Sequence, residues 1–338
     1  MKPLLPVLLL AAVLPFSAPA AAPMPRTAQD VIELPGGNHG IGFDDIGYLA
    51  ALHRVIVPAG ATGNVVLIDP LAHALTIIPG VSAAPAGHAT RREGTSSAVY
   101  AEGYLFASDH DPAAVVTIDP RSRKIVARTP LQGEPDYVRY VARTREIWVT
   151  EPDRQQIQVF RFSASPKPVL TPETTIAIQG GPESLETDDP RNRAYANLWK
   201  GKTVALELTT HRVLAEWPNT CQGSRGLALD NAHDHVFVAC SEGKVVTLAS
   251  GDHGKILAAV SAGAGIDIIR YSPKLHHLYV PGARSATLTI FDAAPSGKLQ
   301  PLSVYRTAEH AHCVTDDDDG HVFVCDPRAG AILTIDDR

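Results

Sequence analysis

A short β-rich run ending near an acidic residue returns seven times along this chain. It reads VVLIDP at 65–70, VVTIDP at 115–120, TVALEL at 203–208, VVTLAS at 245–250, TLTIFD at 287–292 and ILTIDD at 332–337. A looser copy, IQVFRF, lies at 157–162. With Asp69, Asp119, Arg161, Glu207, Ala249, Asp292 and Asp336 taken as equivalent, the period is roughly 45 residues, the length of a four-stranded propeller blade. One such unit cannot bury its own apolar face, so seven in tandem must stack on one another.

Each unit also repeats an internal order. A Gly-containing loop leads into a short strand that often ends in Asp, as in HGIGFDD (39–45), PESLETDD (182–189) and SRGLALD (224–230). A turn and a second β-rich strand follow: REIWVT (145–150), HVFVAC (235–240) and HVFVC (321–325). The run described above is the third strand, and segments such as KIVART (124–129) and GKILAAV (254–260) form the fourth. Apolar and polar residues alternate at period two, and no apolar stripe keeps a 3.6-residue spacing over three turns. The 26 Gly and 27 Pro supply turns for many short strands. The predicted fold is all-β, a seven-bladed β-propeller. Its last repeat stops after three strands, and Asp30–Leu34 supplies a spare fourth strand that would complete the last blade and close the ring.

The first residues read as an address. Lys2, the apolar run 4–14 and the small-x-small sequence Ala18-Pro19-Ala20 predict a secretory signal peptide over 1–20, cut before Ala21. The apolar run is too short to span a bilayer. The remaining domain, 21–338, is the propeller, expected to be periplasmic or secreted, and monomeric. Four cysteines suit an oxidising compartment. Of three possible pairings, Cys221–Cys240 and Cys313–Cys325 each close a short loop within one strand–turn–strand unit. A one-residue change of register would turn the second pair apart. The competing use of these residues is a metal site from His310, His312, Cys313, His321 and Cys325, without a CxxC spacing to support it. Lys and Arg number 30 against 36 Asp and Glu, a net charge of −6, so no nucleic-acid partner is expected.

The repeats resemble the YVTN-type, or YncE-like, seven-bladed propeller family. The resemblance rests on CQGSRGLALDNAHDHVFVACSEGKVVTLASGDHGKILAAV (221–260), GIDIIRYSPKLHHLYVPGARSATLTIFD (265–292) and GGPESLETDDPRNRAYANLWKGKTVALELTTHRVLAEW (180–217). It covers the chain from about His39 onward. It implies the fold more than an activity, because propellers of this kind serve as binding modules, lactonases, lyases and dehydrogenases. Two places depart from the plain repeat: a long loop (80–96) carrying His88, Arg91, Arg92 and Glu93, and AEHAHC (308–313) at the start of the last blade.

In a propeller the residue opening each innermost strand stands at one rim of the central channel. Read blade by blade, those positions are His39, Ser97, Asp136, Glu183, Arg225, Asp267 and His310, with His312 beside the last. Loops on the same side add His110, Glu151, Asn197 and Trp199 with Lys200. The expected site is therefore this rim, binding a small molecule, a divalent metal or a protein partner. Carboxylates suit Ca²⁺ or Mg²⁺, and imidazoles shift the preference toward Zn²⁺ or Mn²⁺. Resemblance to propeller lactonases implies Glu183, Asn197 and Asp267 as metal ligands, with Arg225 close enough to oppose the ion. The alternative function is a metal-assisted lactonase or lyase with His39 or His310 as base. Asp316–Asp319 before Gly320 lacks the EF-hand spacing and reads as a turn on the opposite face. Trp148 and Trp217 read as packing, and His53, His73, His211, His253, His276 and His277 as surface positions.

Overall fold

The computed structural model describes residues 26–28, 30–84 and 94–338. The expected leader at 1–20, and His88, Arg91, Arg92 and Glu93 of the long loop, lie outside the described residues. The strands form seven sheets, one per repeat, each an antiparallel meander. Blade 1 contains Gly47–Leu49, Arg54–Pro58, Thr62–Ile68 and Leu75–Ala83, and blade 5 contains Ser224–Asp230, His235–Cys240, Lys244–Ala249 and Lys255–Ser261. The others follow this plan, with inner strands at Ala98–Ala101, Val138–Val141, Glu186–Asp188, Arg270–Ser272 and Val314–Asp316.

The burial pattern of the strands follows their place in the blade. Second strands are buried on both faces, as along Glu146–Glu151 and His235–Cys240. The outer strand Lys124–Pro130 alternates between exposed and half-buried positions. The apolar core is accordingly divided. Among the described residues it forms seven clusters, each lying between neighbouring blades. Trp148 packs between blades 3 and 4, and Trp217 between blades 4 and 5. Both therefore serve the packing expected of them.

The ring closes as the sequence predicts. Asp30–Glu33 pairs antiparallel with Ala331–Asp336, placing Asp30 opposite Thr334 and Glu33 opposite Ala331. A further short strand, Arg26–Thr27, pairs parallel with the outer strand of blade 6 at Tyr305–Arg306. The N-terminal chain therefore ties two blades together, a contact that repeat periodicity does not predict. The disulfides are Cys221–Cys240 and Cys313–Cys325, with Cα atoms 5.2 and 5.6 Å apart. In blade 7 Val314 faces Val324, and the Cys325 N–H donates to the Cys313 carbonyl. This register brings the second pair face to face. No helix among the described residues is long and apolar enough to cross a membrane.

Candidate functional site

The pairing of first and second strands fixes the register of the channel. Tyr48 faces Val55, Tyr100 faces Leu105, Tyr140 faces Ile147, Thr187 faces Ala194, Leu229 faces Val236, Tyr271 faces Leu278 and Asp316 faces Val322. The residues four positions earlier form one ring: Asp44, Ser96, Asp136, Glu183, Arg225, Asp267 and His312. Sequence reading assigned four of these, Asp136, Glu183, Arg225 and Asp267, to the rim. In blades 1, 2 and 7 it chose His39, Ser97 and His310, because the loops before those strands are longer or carry paired polar residues. The doublet Asp44-Asp45, aligned with Ser96-Ser97, was the signal that could have set blade 1 right.

Four carboxylates from four blades thus surround one mouth of the channel. Their proximity is visible in their mutual effects. Burial pushes the Asp136 carboxyl well above the ordinary carboxylate range, and Asp44, Glu183 and Asp267 push it further. Burial raises Glu183 to about 8; Arg225 opposes this shift, while Asp267 and Asp44 add to it. The Arg225 guanidinium donates to Glu183 at 2.6 Å and lies over the Trp199 ring at 4.0 Å. Trp199 remains 42% exposed, so it forms a half-open wall beside the ion pair. A cavity of about 360 Å³ at this mouth is lined by Arg225, Asp267, His310 and His312.

Other expected site residues hold the ring together. The Asn197 amide donates to the Arg225 and Gly226 carbonyls, and its Oδ1 accepts from Thr203 at 2.7 Å. Fully buried and committed on both sides, Asn197 latches blade 4 to blade 5 and offers no open oxygen as a metal ligand. His312 performs the same task between blades 7 and 1. Its Nδ1 lies 2.7 Å from the His310 carbonyl and its Nε2 lies 2.9 Å from the Phe43 carbonyl. With a carbonyl oxygen beside each ring nitrogen, this imidazole is a clasp and not an open ligand. Backbone bonds continue the ring: Asp45 N–H to Ser96 O, Gly226 N–H to Asp267 O and Ile268 N–H to His312 O. Gly226 is required here, since a Cβ would lie 2.8 Å from the Asp267 carbonyl oxygen.

The remaining histidines differ in their access. His310 is exposed at the mouth, 3.9 Å from Glu309. His39 is exposed in the turn Gly37–His39, with Asn38 Nδ2 at 3.4 Å, and does not line the mouth cavity. His110 borders blade 2, its Nε2 3.0 Å from Ser96 Oγ, and burial pushes its pKa down. Glu151 accepts from Gln132 N–H and Gln156 and is buried. Among the described residues, no three carboxylate oxygens of the mouth lie within 4.8 Å of one another. The His312, Cys313 and Cys325 group does approach that closely, but both cysteines are in a disulfide and offer no thiolate. His321 of the competing metal set pairs with Asp317 at the other end of the channel.

Deeper in the channel, Arg139 donates to Asp45 at 2.5 Å and to Glu186 at 2.8 Å, and its guanidinium stacks on Tyr137 at 4.9 Å. These residues surround a mid-channel cavity of about 180 Å³. Sequence reading missed both Arg139 and Glu186, which lie three residues beyond the ring and alternate in charge around it.

No family model matches the chain, and no curated protein matches its sequence. Solved structures do resemble it. A chain of a mitotic checkpoint complex matches over 96% of this chain and 99% of its own length, with a TM-score of 0.75 and 11% identity. A chain of Kuenenia stuttgartiensis hydrazine synthase matches over 88% and 96%, with a TM-score of 0.71 and 11% identity. At that identity the likeness carries the fold alone, and the fold is the seven-bladed β-propeller.

Proposed function

We propose that this chain is an exported binding propeller of the YVTN type whose acidic mouth takes a positively charged group of a small ligand or protein partner. One observation carries the reading: Asp44, Asp136, Glu183 and Asp267 converge there with Arg225 as the cation paired to Glu183. Carboxylates brought together out of water repel one another, and protonation or a bound cation relieves that repulsion. The spacing suits an ammonium group, a guanidinium or a hydrated divalent ion better than a bare ion held by three carboxylates. Trp199 offers an aromatic wall for the apolar part of such a ligand.

The test is thermal stabilisation by Ca²⁺, Mg²⁺, spermidine and a Lys-rich peptide in wild type and in the Glu183→Gln/Asp267→Asn double variant. Stabilisation by at least one cation that disappears in the double variant supports the reading. Equal shifts in both proteins would place the site elsewhere. Export is checked by N-terminal sequencing of the mature protein, expected to begin at Ala21.

A metal-assisted lactonase or lyase at the same mouth is the second reading. It is favoured by the raised Glu183 carboxyl, which keeps a proton available near neutrality for acid–base work. Lactone hydrolysis on adding Ca²⁺, Mg²⁺, Mn²⁺ or Zn²⁺, lost in Glu183→Gln, would support it. Absence of turnover with every ion leaves the binding reading alone.

A further inference from the structure

Of the three tryptophans, Trp148 and Trp217 are buried and Trp199 is not. Trp199, Lys200 and Gly201 make the turn between the blade 4 strands Arg193–Leu198 and Lys202–Glu207. The turn is pinned to the next blade entry. The Trp199 carbonyl accepts from the Ser224 N–H at 3.2 Å, and the Gly201 carbonyl accepts from the Asn219 N–H at 2.9 Å. Gly201 adopts φ +64°, and a Cβ there would lie 2.6 Å from the Cys221 carbonyl oxygen. The indole therefore stands on a fixed seat. Facing it is the loop Gln179-Gly180, where the Gly180 N–H donates to Gln155 Oε1 at 2.9 Å. Between turn and loop lies a cavity of about 470 Å³ lined by Gln179, Gly180, Leu198, Trp199, Lys200 and Lys202.

This lining is the reverse of the mouth's. Leu198 and the indole supply apolar surface, two lysines supply positive charge, and no carboxylate borders the space. Lys202 is committed to Glu216 at 2.7 Å. Lys200 is exposed and has no carboxylate partner among the described residues, although the chain carries a net charge of −6. Arg225 lies over the indole at 4.0 Å, yet it lines the mouth cavity and not this one. Trp199 is thus the partition between the two spaces. A guanidinium on one face of the ring draws on its π electrons, which lessens the repulsion that an electron-rich ring meets on the other.

We propose that this cavity binds an aromatic carboxylate, its ring against Trp199 and Leu198 and its carboxylate paired with Lys200. A mostly apolar hollow with a few polar groups at one edge is the usual build of a small-molecule site. The charge at that edge selects the ligand. A neutral aromatic leaves Lys200 without its counterion, and an aromatic amine meets two ammonium groups of its own sign. A carboxylate without a ring leaves the apolar wall uncovered. The site goes beyond the cation reading of the mouth and does not rest on it.

The experiment is titration of the full mature chain with phenylacetate, read by tryptophan fluorescence and by calorimetry. Since Trp148 and Trp217 are buried, the fluorescence change reports Trp199. One equivalent should bind, about fivefold or more tightly than 2-phenylethanol, which lacks the charge, and acetate, which lacks the ring. By calorimetry, affinity should fall about fivefold in Lys200→Gln and about tenfold in Trp199→Leu. Both positions are exposed at a turn, so both variants should fold. No binding of phenylacetate, equal binding of 2-phenylethanol, or unchanged affinity in either variant would each overturn the proposal. The mouth reading is decided by its own cation-induced thermal shifts, measured without phenylacetate, so the two can fail separately.

Discussion

The two ends of the channel carry similar numbers of carboxylates and treat them in opposite ways. At the far end each acid has a base. Asp316 and Asp318 share Arg270, Asp319 meets Lys274, Asp317 holds His321 and Asp337 holds His277. At the mouth, four carboxylates surround one paired guanidinium, and burial holds two of them toward their protonated forms. Acid count is therefore a poor guide to a site. Asp316–Asp319 is the most acidic run in the chain and has basic partners beside it, whereas the mouth collects its acids from distant repeats around one guanidinium.

The largest perturbation should erase the distinction. Deleting Asp30–Glu33 removes the fourth strand of blade 7 and bares the edge of Ala331–Asp336. Both ends depend on the closed ring, so soluble folded protein should be lost, as read by circular dichroism and size-exclusion chromatography. A truncated chain melting at the wild-type temperature would mean that the ring does not need this strand.

Next in size are the disulfides, which both belong to the mouth. Cys313 directly follows the His312 clasp, and Cys221 precedes Arg225 by four residues. Replacing Cys313 and Cys325 with Ser should cost about 3 kcal/mol, the loop-closure value for a loop of this size. Urea denaturation checks the cost. Cation-induced stabilisation at the mouth should weaken in the same variant.

A matched pair of substitutions then compares the ends directly. Arg270→Ala leaves Asp316, whose side chain is fully buried, without its guanidinium. The expected loss is about 2 kcal/mol, below that for a fully buried pair because Arg270 is 36% exposed. Arg225→Ala should cost only about 1 kcal/mol, since Glu183 can take up a proton instead of remaining as an unpaired buried charge. Equal losses in the two variants would break the comparison.

The sequence exposed the ring far better than the site. Seven copies of one β-rich run set the blade count, and the spare strand at Asp30–Leu34 announced the closure. Both follow from local periodicity, which strand pairing preserves. The mouth depends instead on register across blades, where one residue decides which side chain enters the channel. Asp136, Glu183, Arg225 and Asp267 were legible because their loops keep a constant length. Asp44 was hidden behind His39, while His312 was named only beside His310. The roles of Asn197 and His312 were not legible at all. A polar residue at a rim looks the same in sequence whether it meets solvent or a carbonyl of the next blade.

The pH dependence of stability tests the acids of the mouth most directly. Glu183 titrates near 8 in the folded chain against an ordinary 4.5, so the folded state holds this proton more tightly than the unfolded state. Stability from that proton is complete below about 4.5 and is lost as pH rises toward 8. At the far end of its strand Asp336 has the opposite sign. Hydrogen bonds from Arg338 lower it to about 2 from an ordinary 3.8, so its small contribution is kept above that range and lost only in acid. Urea midpoints measured without added cation should therefore decline between pH 5 and pH 8 in wild type. Glu183→Gln should lessen that decline, Asp136 keeping its own share, and leave the acid limb untouched. A cation bound at the mouth replaces the proton, so adding whichever of Ca²⁺, Mg²⁺ or spermidine stabilises the protein should help more at pH 8 than at pH 5. If the decline is undiminished in Glu183→Gln and the cation helps equally at both values, the acids of the mouth are not its source and the contrast between the two ends fails.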